Sequence, residues 1–234
     1  NAAGTGLLGN GGDGIFVTGG ADGSVIGGSV AGEGNWVVGS GLVGIEVDGA
    51  STGTVIQGNR IGTDLAGTAN WGSVQNGVLL EGGASSTLVG GTSAGAGNVI
   101  AFSGTGGVWN DGIVVTGSGT QQNAFVGNVI YGSNGLGIDL GDDGVTANDA
   151  GDADTGPNQL QNFPVLITAR TTGGTVAIRG QLDSAPNTTY RIEFFNNALG
   201  TEDPTGHGEG RVFLFAQELT TDGAGHLDFD LAPV

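Results

Sequence analysis

Hydrophobic residues in the first two thirds of the chain fall in short alternating pairs. A glycine, an aliphatic residue, one intervening position and a second aliphatic residue recur at Gly14-Ile15-Phe16-Val17, Gly44-Ile45-Glu46-Val47, Gly77-Val78-Leu79-Leu80, Gly112-Ile113-Val114-Val115 and Gly137-Ile138-Asp139-Leu140. Alternation of this kind buries one face of a strand, so Ile45 and Val47 point inward while Glu46 points out. Positions 15, 45, 78, 113 and 138 are separated by 30, 33, 35 and 25 residues, spacings at which one supersecondary unit repeats and stacks on the next. Two more short strands are readable in each repeat. One runs through Ser24-Val25-Ile26, Thr54-Val55-Ile56, Thr87-Leu88-Val89 and Ala124-Phe125-Val126; the other begins at Asn35, Asn59, Asn98 and Asn128, with Val37, Ile61, Ile100 and Ile130 two residues later. Three strands per repeat predict a triangular coil whose strands pair in parallel with their equivalents above and below, about 4.8 Å away, placing like residues in columns. The asparagines are then expected to stack as an amide ladder.

The period changes after Leu140. A stretch rich in aspartate, glycine and asparagine runs from Gly141 to Asn162, and Val165–Arg170, Thr175–Leu182, Tyr190–Phe195, Val212–Leu219 and His226–Leu231 then read as longer alternating strands. The expectation is an all-β protein of two domains: a right-handed, three-sided parallel β-helix over residues 1–160 and a small antiparallel, Ig-like β-sandwich over 161–234. Sandwiches of this type use about seven strands in about 100 residues, so the second domain is expected to be incomplete, with a strand removed or supplied by another chain.

Composition narrows the function classes. Fifty-two glycines sit between β-branched pairs, as turn glycines, without the strict period of collagen. The 23 acidic residues face five arginines and no lysine, for a net charge of −18. Arg60 is the one cation before Arg170, so the chain has no basic stripe for nucleic acid or anionic membrane. With no cysteine, disulfide, thiolate-zinc and cysteine-nucleophile chemistry are excluded. No apolar run is long enough to span a bilayer. The opening within the repeat pattern, without a signal peptide, is expected of a processed product or an excerpt of a longer protein.

The phrases Gly58-Asn59-Arg60-Ile61-Gly62-Thr63-Asp64-Leu65-Ala66-Gly67-Thr68, Ala96-Gly97-Asn98-Val99-Ile100 and Gly137-Ile138-Asp139-Leu140-Gly141-Asp142-Asp143-Gly144-Val145-Thr146-Ala147-Asn148-Asp149 resemble secreted bacterial right-handed parallel β-helix repeat proteins of the pectate-lyase-like solenoid type. In that family Gln161-Asn162-Phe163-Pro164-Val165-Leu166 resembles the passage into a β-sandwich, and Asn187-Thr188-Thr189-Tyr190-Arg191-Ile192-Glu193-Phe194-Phe195 a phrase within it. The resemblance covers essentially the whole chain and implies an extracellular or cell-surface location. It is specific for fold and weak for activity, because such solenoids carry enzymes, adhesins and tailspikes alike.

Candidate chemistry is concentrated in acidic residues. Asp149, Asp152, Asp154 and Asn158 set oxygen ligands at short spacing in a glycine-rich segment, which suits structural Ca2+ and equally suits a solvated acidic linker. Gly156 at the third ligand position and Pro157 at the turn-glycine position depart from an EF-hand. Trp36, Trp71 and Trp109 all fall between a third strand and the following first strand, and an aromatic row there would stack on sugar rings or cover inserted loops. Arg60 beside Asp64 is the one pairing on the solenoid that resembles a lyase base, and reads more simply as an outward residue bonded to a local carboxylate. Asp139, Asp142 and Asp143 are candidates for a hydrolase carboxylate pair, against the simpler reading of an outward residue and an acidic exit loop. His207 and His226 read as surface residues of the sandwich.

The function expected from these features is a non-catalytic extracellular structural or adhesive protein. Its partners are other subunits, joined head-to-tail through open coil ends or by strand donation. The alternative is a polysaccharide-degrading or carbohydrate-binding surface protein, with polysaccharide as the partner.

Overall fold

A computed structural model describes residues 7–107, 110–198 and 205–231. Each coil of the solenoid supplies three short strands, numbered β1–β13 in chain order. The first side carries β1 (Ile15–Val17), β4 (Ile45–Val47), β7 (Val78–Leu80), β10 (Ile113–Val115) and β13 (Ile138–Leu140). The second carries β2 (Val25–Gly27), β5 (Val55–Gln57), β8 (Leu88–Gly90) and β11 (Ala124–Val126), and the third β3 (Trp36–Val37), β6 (Arg60–Ile61), β9 (Val99–Ala101) and β12 (Val129–Tyr131). Strands of one side form ladders with each other, in parallel, giving one five-stranded and two four-stranded sheets. The first side keeps the recurring phrase in register: Ile15, Ile45, Val78, Ile113 and Ile138 form one column, and Phe16, Glu46, Leu79, Val114 and Asp139 the next. Among the described residues, those from 15 to 140 therefore form a three-sided parallel β-helix of four complete coils plus one strand of a fifth.

The interior is the aliphatic column the alternation predicts. Ile45, Val47, Ile56, Ile61, Val78, Leu80, Val89, Ile100 and Ile113 are all fully buried in one cluster. The glycines before the first four first-side strands, Gly14, Gly44, Gly77 and Gly112, have a packing reason. At Gly77 a Cβ would lie 2.5 Å from Ile100 Cγ2 and 2.7 Å from the Gly112 carbonyl oxygen, so only a hydrogen fits where the third side turns into the first. The asparagine ladder is present. Asn35, Asn59 and Asn98 each donate Nδ2–H to Oδ1 of the next asparagine, ending at Asn128, at 2.9–3.0 Å. Asn59, Asn98 and Asn128 also donate to the carbonyls of Ile26, Ile56 and Val89. Length variation stays at corners: residues 28–35 and 91–98 join second to third sides, and residues 62–72 form a loop closed by a Thr63–Asn70 bridge.

Beyond Leu140 an exit segment, 141–164, leads to two antiparallel sheets. β14 (Val165–Thr172), β15 (Thr175–Asp183) and β18 (His226–Leu231) form one, in the order β14-β15-β18; β16 (Thr189–Asn196) and β17 (Val212–Thr220) form the other. Ile178, Leu182, Ile192, Phe194 and Phe229 make their shared core, with Phe194 stacked on Phe215 at 4.8 Å between ring centroids.

The module closes the C-terminal edge of the solenoid. Backbone N–H groups of the last coil, which have no further coil to bond, donate to it. Gly127 donates to Glu193 Oε2 at 2.8 Å, Gly132 and Ser133 to the two oxygens of Glu209 at 2.5 and 2.9 Å, and Ile130 to the carbonyl of Gly210 at 3.0 Å. The Arg211 guanidinium lies 4.6 Å over the Tyr131 ring. On the remaining side a tight turn through Pro157–Leu160 brings Asn158 against Asn123, with Oδ1 accepting the Asn123 N–H and Nδ2 donating to the Asn123 carbonyl. At the opposite end β1, β2 and β3 are edge strands with no outer partner among the described residues.

Candidate functional sites

The exit segment folds its aspartates into one group. Carboxylate oxygens of Asp149, Asp152 and Asp154 lie within 4.8 Å of one another. Their scaffold is a short loop returning on itself: Asp149 accepts the N–H groups of Ala153 and Asp154, and Asp152 accepts the Asn162 N–H and, at 2.5 Å, the Ser184 hydroxyl. Asn162 ties the loop down by donating Nδ2–H to the carbonyls of Asp149 and Asp183. One Asp154 oxygen, Oδ1, is buried without a hydrogen-bond partner. Burial, then the charges of Asp149 and Asp152, raise the pKa of Asp154. The residues present therefore fit a hard cation, which would satisfy an orphaned oxygen and relieve repulsion among three carboxylates. Asn158, the fourth residue of the expected set, spends its carboxamide on Asn123 instead.

A second acidic group lies on the first side of the solenoid, where Glu46, Asp48 and Glu81 bring carboxylate oxygens within 4.8 Å of one another. It arises from register. Val47 pairs with Leu80, so the residues that follow them, Asp48 and Glu81, are neighbours in adjacent coils although 33 positions apart in the chain. Glu46 is pushed up to about 7 by burial first, then by the charges of Asp13, Glu81 and Asp48. Glu81 is raised for the same leading reason. Further along this side Asp142 is raised to about 6 by burial and by Asp139 and Asp111. The signal was available in the sequence as two acidic residues each directly following the repeated phrase, but it required the coil register to be seen as a site.

Several expected features sit differently from their sequence reading. Asp139 occupies the outward column yet is 2 % exposed, because the exit loop folds back and its carboxylate accepts the N–H groups of Asp142 and Gly144. Its oxygens are held by the backbone, and its pKa is raised by burial against those bonds. Asp64 does not engage Arg60: its carboxylate accepts N–H groups from Thr68 and Ala69 at 2.7 and 2.9 Å, closing its own loop. Trp36 stands in strand β3, in register with Arg60, whereas Trp71 lies in the connection from β6 to β7 with its backbone bonded to Gly39 and Gly62. The two do not share a column; Trp109 lies outside the described residues. His226 is bracketed by Asp183 at 2.6 Å and Asp228 at 3.2 Å, and these bonds raise its pKa.

Apolar surface collects at two places. Leu8, Phe16, Val25 and Trp36 are exposed around the open first coil. At the other end a cavity of about 1350 Å³ lies between the last coil and the sandwich, and inward-pointing Ile138 opens into it at 41 % exposure. Comparison with known protein families and with curated proteins finds no match to this sequence.

Proposed function

We propose that the chain is a non-catalytic structural or adhesive component working outside the cell, and that it associates with neighbouring subunits through the open edge of its first coil. The observation that carries this reading is the edge itself. Three adjacent strand edges lack an outer partner among the described residues, and Val25 beside them is 68 % exposed. Unpaired strand edges rimmed by apolar side chains favour pairing with another chain. Because the opposite edge is already covered by the chain's own module, a neighbour in a head-to-tail row meets that module, and such a contact propagates as a filament when its rotation does not close a ring. The extracellular setting is supported by the resemblance of the Gly58–Thr68 and Gly137–Asp149 phrases to secreted bacterial β-helix repeat proteins. Sedimentation of the wild-type chain and of Val25→Asp tests the association: concentration-dependent assembly lost in the variant is expected, and identical monomeric behaviour of both would reject it.

In the same reading Asp149, Asp152 and Asp154 hold a structural Ca2+ that fixes the exit segment to the start of the sandwich, where Asp152 and Asn162 already reach Ser184 and Asp183. Millimolar Ca2+ is expected to raise the unfolding temperature of the wild type and not of Asp152→Asn. No change in either would remove the ion.

A polysaccharide-directed reading draws on one observation, the half-buried carboxylates of Glu46, Asp48 and Glu81 gathered on one sheet face, with Glu46 raised to about 7. Cleavage of uronate polymers that is lost in Glu46→Gln would favour it over a structural role.

A further inference from the structure

The two sheets of the C-terminal module are unequal. Among the described residues three strands face two, so part of the inner face of β14 and β15 has no described strand opposite it. β14 is solvent-exposed at almost every position, and Leu166 within it is 57 % exposed. The cavity in front of this face is lined by Leu166, Ala169 and Val176 on one side, Phe194 on another, and Phe125 of the fourth coil and Ile138 of the fifth.

β16 borders the same cavity through Ile192–Asn196 and, among the described residues, pairs with β17 alone. The Thr221 N–H donates to the Thr188 carbonyl at 3.0 Å, and antiparallel ladders alternate. Thr188 is therefore followed by Tyr190, Ile192 and Phe194 as the residues bonded to β17, and Arg191 and Glu193 turn their backbone groups to the open side. No glycine or proline interrupts the run from Thr189 to Asn196, and the chain has no lysine to guard the edge. Arg191 and Glu193 already pair with each other at 2.9 Å, so a neighbour need bring no counter-charge.

We propose that the open edge of β16 is a strand-acceptor site, taken by an extended segment of a second polypeptide with apolar side chains at every second position. A row of backbone donors and acceptors beside an apolar cleft selects a peptide strand over a small apolar molecule. Main-chain bonds extend the β17–β16 ladder, and the alternate side chains fill the cleft against Leu166 and Ala169. The proposal rests on the assembling role proposed above and names the surface where the partner attaches.

The test is hydrogen exchange of the intact chain with a synthetic peptide of alternating threonine and valine flanked by lysines. The expected result is exchange about tenfold slower at the Arg191 and Glu193 amides, with loss of dye fluorescence from the cleft. Both effects should vanish in Leu166→Lys and, independently, in Ala169→Arg, while exchange in β4, β7 and β10 stays unchanged. Amides already protected in dilute, monomeric chain before peptide is added would mean that the cleft is closed by the chain's own polypeptide, and would overturn the proposal. Unaltered exchange at saturating peptide, or unimpaired binding by both variants, would overturn it as well. Failure of the peptide while Val25→Asp still disperses the native assembly would sink the acceptor edge and leave assembly through the first coil standing.

Discussion

Ile45 shows how little freedom a single position has in this architecture. It is fully buried with coils on both sides, so Ile45→Ala leaves a cavity that neither neighbour can close, and a loss of about 2–5 kcal/mol is expected in chemical denaturation. Glu46, the next residue, faces the other way and titrates abnormally. Its folded pKa of about 7 stands above the ordinary glutamate value of 4.5, so the folded chain holds its proton more tightly than the unfolded chain. Stability from this group is therefore present below about pH 4.5 and declines as pH rises through about 7. Thermal melts from pH 4 to 8 are expected to fall less steeply for Glu46→Gln than for the wild type. His226 adds a slope of the same sign, since its pKa is raised by Asp183 and Asp228: its contribution is full below about 6.5 and lost as pH rises through the folded value. Melts of His226→Gln separate the two.

The strands are the elements most legible in the sequence, and the acidic sites the least. Alternation placed the five strands of the C-terminal module within two residues of their observed bounds, and each inward residue of the third side, Val37, Ile61, Ile100 and Ile130, is buried. These features depend on local pattern. The group of Glu46, Asp48 and Glu81 depends on which coil lies above which, and the burial of Asp139 on a loop that returns after the strand has ended; neither is a local property. Trp36 lies within β3 itself, inside the Asn35–Val37 pattern, and so belongs to the third side and not to the connection that follows it. The asparagine ladder was readable because its spacing follows the coil. Asn98 accepts from Asn59 and donates to Asn128 and to the Ile56 carbonyl, so Asn98→Ala strands several buried groups. A cost of about 1–3 kcal/mol for each is expected, read as an unfolding midpoint lowered more than by the same change at Asn35, which heads the ladder and is exposed.

At the scale of the molecule the two ends of the solenoid are treated differently. The C-terminal edge donates its free amides to Glu193, Glu209 and Gly210 of the sandwich, so the module both ends the coil and presents its own unfinished sheet. The first coil presents three strand edges with no outer partner among the described residues. A rod whose first coil is unpaired among the described residues, and whose module accepts a strand as proposed above, has a direction, which is what head-to-tail association requires. Electron cryomicroscopy of the purified chain tests this most directly. The account predicts rods joined end to end, the first coil of one subunit against the sandwich of the next, with strand layers spaced about 4.8 Å along each rod. Separate single rods at every concentration, with the first-coil edge bare, would contradict it.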